Sequence, residues 1–384
     1  MTAVGIICEY NPFHNGHKYQ IEQAKKLSGC DACVCVMSGS FVQRGEVAVY
    51  DKWSRAKAAL ENGADLVIEL PAWYVLQSAD IFAKGGVEVL TKSNLVNAIS
   101  FGSESADADA LMRCAKILVS NDSALKEQIE QIMQSGVSYP VALQSAMDSL
   151  YPEVSSHLKT PNDMLGIAYI SAMLKSNANL KIYPVARHKA EHHSTKTDGI
   201  YASSTAIRKA MAEGGDASSL VPYELSGDTY RMSNLENFIL GFYRTCNSDN
   251  LKNLPLIEDG FENKLISSAK QTTNLDEFYQ SMVSRRYTLS RVKRTVLAGL
   301  VGMEKDKTCD YVRILGMTDT GTALLKETKE KTSIPFVVKT ADFTPSANST
   351  FKYDILATDI AALACENSKN RGAGMDFYNS PVKI

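Results

Sequence analysis

Gly5-Ile6-Ile7-Cys8-Glu9-Tyr10-Asn11-Pro12-Phe13-His14-Asn15-Gly16-His17 lies near the start of the chain. Val4 to Cys8 is a short apolar run, long enough for a buried strand. Asn11-Pro12 ends that run, because proline lacks an N–H and restricts the residue before it. Gly16 permits a tight turn and a close approach of the backbone to a ligand. His17 to Leu27 then reads as a helix. Both His14 and His17 therefore stand where a strand gives way to a helix. Such a junction offers unpaired backbone N–H groups and the positive end of a helix dipole, which suits phosphate. Imidazole donors can in addition follow charge developing on a phosphoryl oxygen.

Around this stretch the chain has 384 residues, which implies two or three domains. A hydrophobic share of 45% and a charged share of 22% fit a globular protein with a sizeable core. The net charge of −2 excludes a general attraction to nucleic acid, so any such surface is a local patch. The first residues carry no basic, cleavable apolar leader, and no apolar run approaches the ~18 residues of a membrane span. Cys30, Cys33 and Cys35 are clustered, but no second ligand pair completes a zinc site. Cys33-Val34-Cys35-Val36-Met37 reads as a buried strand with cysteine as a small apolar residue. No metal site, no membrane and no protein partner are expected, and the compartment is a reducing cytoplasm.

Further strands are expected at Ala32–Met37, Asp65–Leu70, Ala98–Gly102 and Lys181–Arg187, with helices between them. This alternation predicts an α/β fold with an N-terminal doubly wound parallel sheet, in which ligands bind beyond the carboxyl ends of strands. The loop from Ser38 to Glu46 and the following Asp51-Lys52-Trp53-Ser54-Arg55 place Gln43, Arg44, Lys52 and Arg55 at that edge. Gly102 lets a nucleotide ring lie against the backbone, and Arg187 and His188 follow the fifth strand. The polar segment Lys189 to Asp198 reads as a loop over the site.

Tyr201-Ala202-Ser203-Ser204-Thr205-Ala206-Ile207-Arg208 opens another helix, with Ser203 or Ser204 as its cap. A capped helix start with two hydroxyls and Arg208 is a second phosphate cradle. Gly214-Gly215 marks a boundary, so residues 1–215 are expected to form one domain, which holds both phosphate-suited motifs, and residues 216–384 a largely helical α+β C-terminal domain. There Arg285, Arg286, Arg291, Lys293 and Arg294 fall in a ten-residue stretch without an acid. Either a basic face for an RNA backbone or a solvated charged face fits that pattern.

His-x-Gly-His after a first strand, followed about one domain later by Ser-Ser-x-x-Ile-Arg, resembles the nucleotidyltransferase superfamily that includes class I aminoacyl-tRNA synthetases. In that superfamily the second segment holds the β- and γ-phosphates opposite the histidines. Met37-Ser38-Gly39-Ser40-Phe41-Val42-Gln43-Arg44-Gly45-Glu46, Gly63-Ala64-Asp65-Leu66-Val67-x-Glu69-Leu70-Pro71, Phe101-Gly102-Ser103-Glu104 and Pro161-Asn162-Asp163-x-Leu165-Gly166 narrow the likeness. With the opening stretch they resemble the bacterial tRNA(Met) cytidine acetate ligases over nearly the whole chain. Val47 stands where that family has proline, and Asp163 where it has asparagine.

The resemblance implies a ligase that activates acetate with ATP as acetyl-adenylate. It then acetylates N4 of the wobble cytidine (C34) of elongator tRNA(Met), releasing AMP and pyrophosphate. It implies ATP contacts from Ile7 through Gln20, Lys18 and Tyr19 among them, and from Gly102, Asn162, Arg187 and His188. His14 and His17 then act on the α-phosphate, while Ser203, Ser204 and Arg208, with Mg²⁺, hold the departing pyrophosphate. Two other readings share these motifs. One is a small-molecule adenylyltransferase of cofactor synthesis. The other is a non-catalytic, ATP-liganded RNA-binding factor.

Overall fold

The computed structural model describes residues 1–120, 122–187, 200–258 and 260–384. Its strands in chain order are β1 (Ala3–Cys8), β2 (Ala32–Ser38), β3 (Phe41–Val42), β4 (Glu46–Val47), β5 (Leu66–Leu70), β6 (Ala98–Ser103), β7 (Lys181–Ala186), β8 (Val312–Met317), β9 (Phe336–Val337) and β10 (Val382–Lys383). The main sheet runs β10-β8-β5-β2-β1-β6-β7, with β9 attached to β8. From β5 to β7 every pairing is parallel, in the order expected of a doubly wound sheet. The chain winds outward from β1 in one direction and then, at β6, in the other. The crevice where ligands bind in such sheets therefore opens beyond the ends of β1 and β6.

The alternation of side chains along β1 explains its central place. Ala3 and Ile7 join the apolar layer formed with the Ala79–Ser93 and Pro161–Lys175 helices. Val4 and Ile6 face the opposite layer with Ile21 and Ala24 of the Asn15–Ser28 helix. Cys33 and Cys35 are fully buried in that second layer, and all eight cysteines are free thiols. No group of three metal-ligating side chains occurs among the described residues. Among them too, no helix is long and apolar enough to cross a membrane.

The C-terminal half supplies a helical layer with its own apolar core, from Leu235 and Ile239 to Val292, Val296 and Ala361. It also extends the main sheet, because β8 pairs antiparallel with β5. The loop expected after β2 contains the β3–β4 hairpin, packed on the C-terminal helices.

Two residues placed at the ligand edge by the sequence have another role. Lys52 is 1% exposed and bonds Glu69 at 2.8 Å and Asp376 at 2.7 Å, and Arg313 bonds Asp376 at 2.7 Å. This buried quartet ties β8 and the C-terminal segment to β5. Arg55, also 1% exposed, donates to the carbonyls of Glu9 (2.7 Å), Ser38 (3.0 Å), Tyr50 (3.1 Å) and Gly39. It clamps the ends of β1 and β2 together and so shapes the site from beneath.

Candidate active site

A cavity of about 320 Å³ occupies the crevice beyond β1 and β6. Its floor is the turn that follows β1. His14 caps the Asn15–Ser28 helix, its Nδ1 accepting from the Gly16 N–H at 3.1 Å. His17 answers three residues on, its Nδ1 accepting from the His14 N–H at 3.2 Å. This reciprocal cap satisfies two N–H groups of the helix start and fixes both rings. With Nδ1 an acceptor, each ring carries its proton on Nε2. The rings stack with centroids 3.6 Å apart at 18°. Removal from water, then the positive charges of Arg187 and Arg208, push the His14 imidazole down to about 3. Burial, then His14 and Arg187, hold His17 well below the usual range. Both rings are neutral at pH 7, which is why they can stack, and both offer an N–H donor without a buried charge.

The second motif meets this floor. Ser203 caps the Ser204–Ala212 helix, its Oγ accepting from the Ala206 N–H at 3.1 Å. Arg208 donates to the Asn11 carbonyl at 2.6 Å. Asn15 donates to the carbonyls of Ile200 at 2.9 Å and Ser219 at 3.0 Å. Two helix starts thereby converge on one cavity, which His14, His17, Ser203, Ser204 and Arg208 all line.

At the other end Phe101, Leu165, Tyr169 and Val185 form an apolar wall. Gly102 belongs to it, and a Cβ there would project toward the Arg187 side chain, 3.5 Å away. Arg187 donates to the Asn162 Oδ1 at 2.8 Å, and Glu104 accepts from the Asn162 N–H at 3.1 Å. Asp163 is 1% exposed and accepts from the Glu104 N–H (2.9 Å), the Ser105 N–H (3.3 Å) and the Ser103 hydroxyl, with His157 Nδ1 at 3.0 Å. Its carboxylate thus staples the end of β6 to the Pro161–Lys175 helix. The departure from asparagine is a structural substitution with a full set of partners.

Ile7, Cys8, Glu9, Tyr10, Asn11, Gly16 and Gln20 line the cavity as well, as do Gln43 and Arg44 from the hairpin. Glu9 accepts from the Gln43 N–H at 2.6 Å and the Ser38 hydroxyl at 3.1 Å, and burial raises its pKa. Pro12, Phe13, Asn15, Lys18 and Tyr19 do not reach the cavity wall. Phe13 is core instead, edge-on to Tyr10 at 4.8 Å. His188 and the expected loop Lys189–Asp198 lie outside the described residues. Leu165, Tyr169 and Thr205 were not among the expected site residues. The first two had a readable signal, since Asn162, Leu165 and Tyr169 share one helix face at i, i+3 and i+7.

The basic stretch is distributed differently. Arg285 and Arg286 are exposed, just ahead of the Leu289–Val301 helix. Arg291 lies over the Tyr287 ring at 4.1 Å and bonds Glu258 at 3.0 Å. Lys293 bonds Glu46 at 2.9 Å. Arg294 is 8% exposed and donates to the Gln43 carbonyl at 3.1 Å. The acids absent from the local sequence thus come from Glu46 and Glu258. Gly45 (φ +77°) makes the contact possible, because a Cβ there would lie 2.6 Å from the Arg294 backbone nitrogen.

Residues 1–376 match the HIGH Nucleotidyl Transferase family. The chain is 36% identical to the tRNA(Met) cytidine acetate ligases of Thermosipho africanus and Clostridium novyi, with 100% of each chain covered. It is 35% identical to that of Bacillus subtilis, covering 100% of this chain and 97% of the relative. The crystal structure of apo Thermotoga maritima TmcAL superposes with a TM-score of 0.92 at 30% identity, covering 100% of both chains. The same protein bound with alpha-thio ATP gives 0.90 at 30% identity, again covering 100% of both chains.

Proposed function

The chain belongs to the tRNA(Met) cytidine acetate ligases, within the HIGH Nucleotidyl Transferase family, and on that premise we propose that it joins acetate to N4 of the wobble cytidine of elongator tRNA(Met) at the expense of ATP. The observation that carries this reading is the convergence of two capped helix starts, a neutral histidine pair and Arg208 on one cavity at the switch point of the sheet.

The purine lies along Gly102 and the Phe101–Tyr169 wall, within reach of Asn162 and Arg187. The triphosphate runs toward the two helix starts. An acetate oxygen attacks the α-phosphorus, the bond to the β-phosphate oxygen breaks, and pyrophosphate leaves with that electron pair. The Nε2–H groups of His14 and His17 donate to the α-phosphate oxygens as charge builds there. Ser203, Ser204 and Arg208 receive the pyrophosphate. The cytidine amine then attacks the acyl carbon, AMP departs with the acyl–oxygen bond electrons, and the amine loses a proton to water. No enzyme-bound acyl group is required.

Mg²⁺ fits this site as an ion carried in on the triphosphate, since the described residues offer no cage of three ligating side chains. The hydroxyls of Ser203 and Ser204 are the groups that would complete its shell, and the ion would supply neutralisation of phosphate charge. Free cysteines throughout the chain agree with a cytoplasmic setting.

The deciding experiment is transfer of labelled acetate into undermodified bacterial tRNA with ATP and Mg²⁺ and without coenzyme A. Labelled N4-acetylcytidine in the digest is the expected result. Acetate-dependent pyrophosphate release without label in RNA would reopen the acceptor. Absence of both would point to the small-molecule adenylyltransferase. Nucleotide binding alone would point to the non-catalytic RNA-binding factor.

A further inference from the structure

Among the described residues that line the cavity, Glu9 is the one acid. The triphosphate and the acetate of the ligase reading are both anions, and a carboxylate attracts neither. It calls instead for a group with an N–H or O–H to give. One of its oxygens is already held: Oε1 accepts from the Gln43 N–H at 2.6 Å and the Ser38 hydroxyl at 3.1 Å. The other, Oε2, bonds nothing among the described residues and, in a half-buried side chain, keeps contact with solvent.

The order of the sheet gives the carboxylate a direction. β2 and β6 flank β1. Ser38 ends β2 and Gln43 lies in the β3–β4 hairpin, so Glu9 is anchored toward the β2 side. Gly102 belongs to β6 on the other side, and His14 and His17 stand in the turn after β1. The purine therefore takes the β6 side and the α-phosphate the middle. The hairpin side, walled by Val42, Ala79 and Phe82, is left for the group that attacks the activated acyl carbon. In the ligase reading that group is an amine on a pyrimidine ring. Such an amine donates hydrogen bonds, and its lone pair is spread into the ring, so its attack is helped by a base that removes a proton.

We propose that Glu9 is a catalytic residue of the second step, its free Oε2 accepting an N–H of the acceptor base's exocyclic amine and taking that proton as the amine attacks. The assignment deepens the ligase reading and rests on it. The bond from nitrogen to the acyl carbon forms, the bond from that carbon to the AMP oxygen breaks, and AMP keeps the electron pair. The proton shed by nitrogen rests on Glu9 and passes to water at the open side of the cavity. The same contact selects the base. Cytosine presents an amine at this edge, whereas uracil presents a carbonyl oxygen that a carboxylate repels.

Burial makes Glu9 a stronger base than an exposed carboxylate, although Gln43, Ser38, Arg55 and Arg208 pull it part of the way back. Arg55, Arg208 and, from the Pro161–Lys175 helix, Tyr169 are the titratable groups that face it. The arginines stay cationic and the tyrosine neutral through the carboxylate range, so a titration there belongs to Glu9.

Glu9→Gln and Glu9→Asp in the full chain test the role. Glutamine keeps a carbonyl oxygen for Gln43 and Ser38 but places an amide NH₂ where Oε2 was. The readouts are acetate-dependent exchange of pyrophosphate into ATP, label transfer to saturating undermodified tRNA, the pH profile of transfer, and thermal melting. Glu9→Gln is expected to lower the ratio of transfer to exchange about 100-fold and to abolish the rise of transfer with pH that the unmodified chain shows through the carboxylate range. Glu9→Asp, which keeps the base on a shorter stem, is expected to regain part of the transfer and the rise. An unchanged ratio in Glu9→Gln, whether both activities fall together or neither does, would overturn the role and assign Glu9 to ATP or to the hairpin. A persisting rise with pH would overturn it too. If Glu9→Gln melts below the assay temperature, Glu9→Asp decides, and a ratio equal to that of the unmodified chain would sink the role. If the unmodified chain shows exchange but puts no label into RNA, the acceptor of the ligase reading falls and the role with it.

Discussion

The turn from Asn11 to His17 and the helix from Leu289 to Val301 are both rich in potential hydrogen-bond donors, and they use them in opposite ways. In the turn, each histidine satisfies the backbone with Nδ1 and keeps Nε2–H for the cavity. In the helix, Arg291, Lys293 and Arg294 give their donors to Glu258, Glu46 and the Gln43 carbonyl. One region is built around a ligand and carries no net charge. The other carries charge that the fold has already consumed. A count of cations along a sequence therefore measures available charge poorly, whereas a side chain tied to its own backbone is oriented before any ligand arrives.

The sharpest break of this contrast is His17→Ala. It removes an oriented donor at the reacting phosphate and is expected to slow acetate-dependent pyrophosphate exchange by about 100-fold or more. Near-normal exchange would place the catalytic donor elsewhere. The neutrality of the pair has a consequence for pH. His14 in the folded chain is pushed down to about 3, against about 6.5 when unfolded. The unfolded chain thus takes up a proton that the folded chain refuses, so stability is full above pH ~6.5 and declines as pH falls toward 3. At pH 5 the loss from this group is about 2 kcal/mol. Urea midpoints between pH 7 and 4 measure it, and His14→Gln is expected to flatten the dependence.

The helix side is tested by Arg294→Ala. A solvated cation would change stability by less than ~0.5 kcal/mol. The buried contact to Gln43 predicts a loss of about 1–3 kcal/mol, read from the urea midpoint. The smallest effect is expected where the charge stays in solvent. Replacing Arg285 and Arg286 with alanine is expected to leave adenylate formation unchanged and to lower the slope of log tRNA affinity against log salt by roughly two. An unchanged slope would remove these arginines from the RNA surface.

Much of the site was legible because its logic is local. The strand run, the Asn11-Pro12 break and the Ser203 cap each depend on residues within a few positions of one another. Gly102 and Arg187 followed from their places after strands, and Asn162 from the family resemblance. Lys52 and Arg55 were misplaced because a cation near a ligand edge and a cation clamping the sheet beneath it read alike in sequence. What separates them is burial, to 1% exposure for each, and partners such as Asp376 at the far end of the chain.

The sequence by itself determined the alternation of strands and helices through β7, the capped turns that line the cavity, and the family. Periodicity and capping are interactions between near neighbours, and they survive whatever the rest of the chain does. Only the tertiary structure decided that β8 would continue the N-terminal sheet and that Lys293 would meet Glu46 across 247 positions. It alone decided that Arg294 would be buried against the Gln43 carbonyl. Those outcomes depend on which distant surfaces pack together, and that is a property of the whole buried interior rather than of any segment in it.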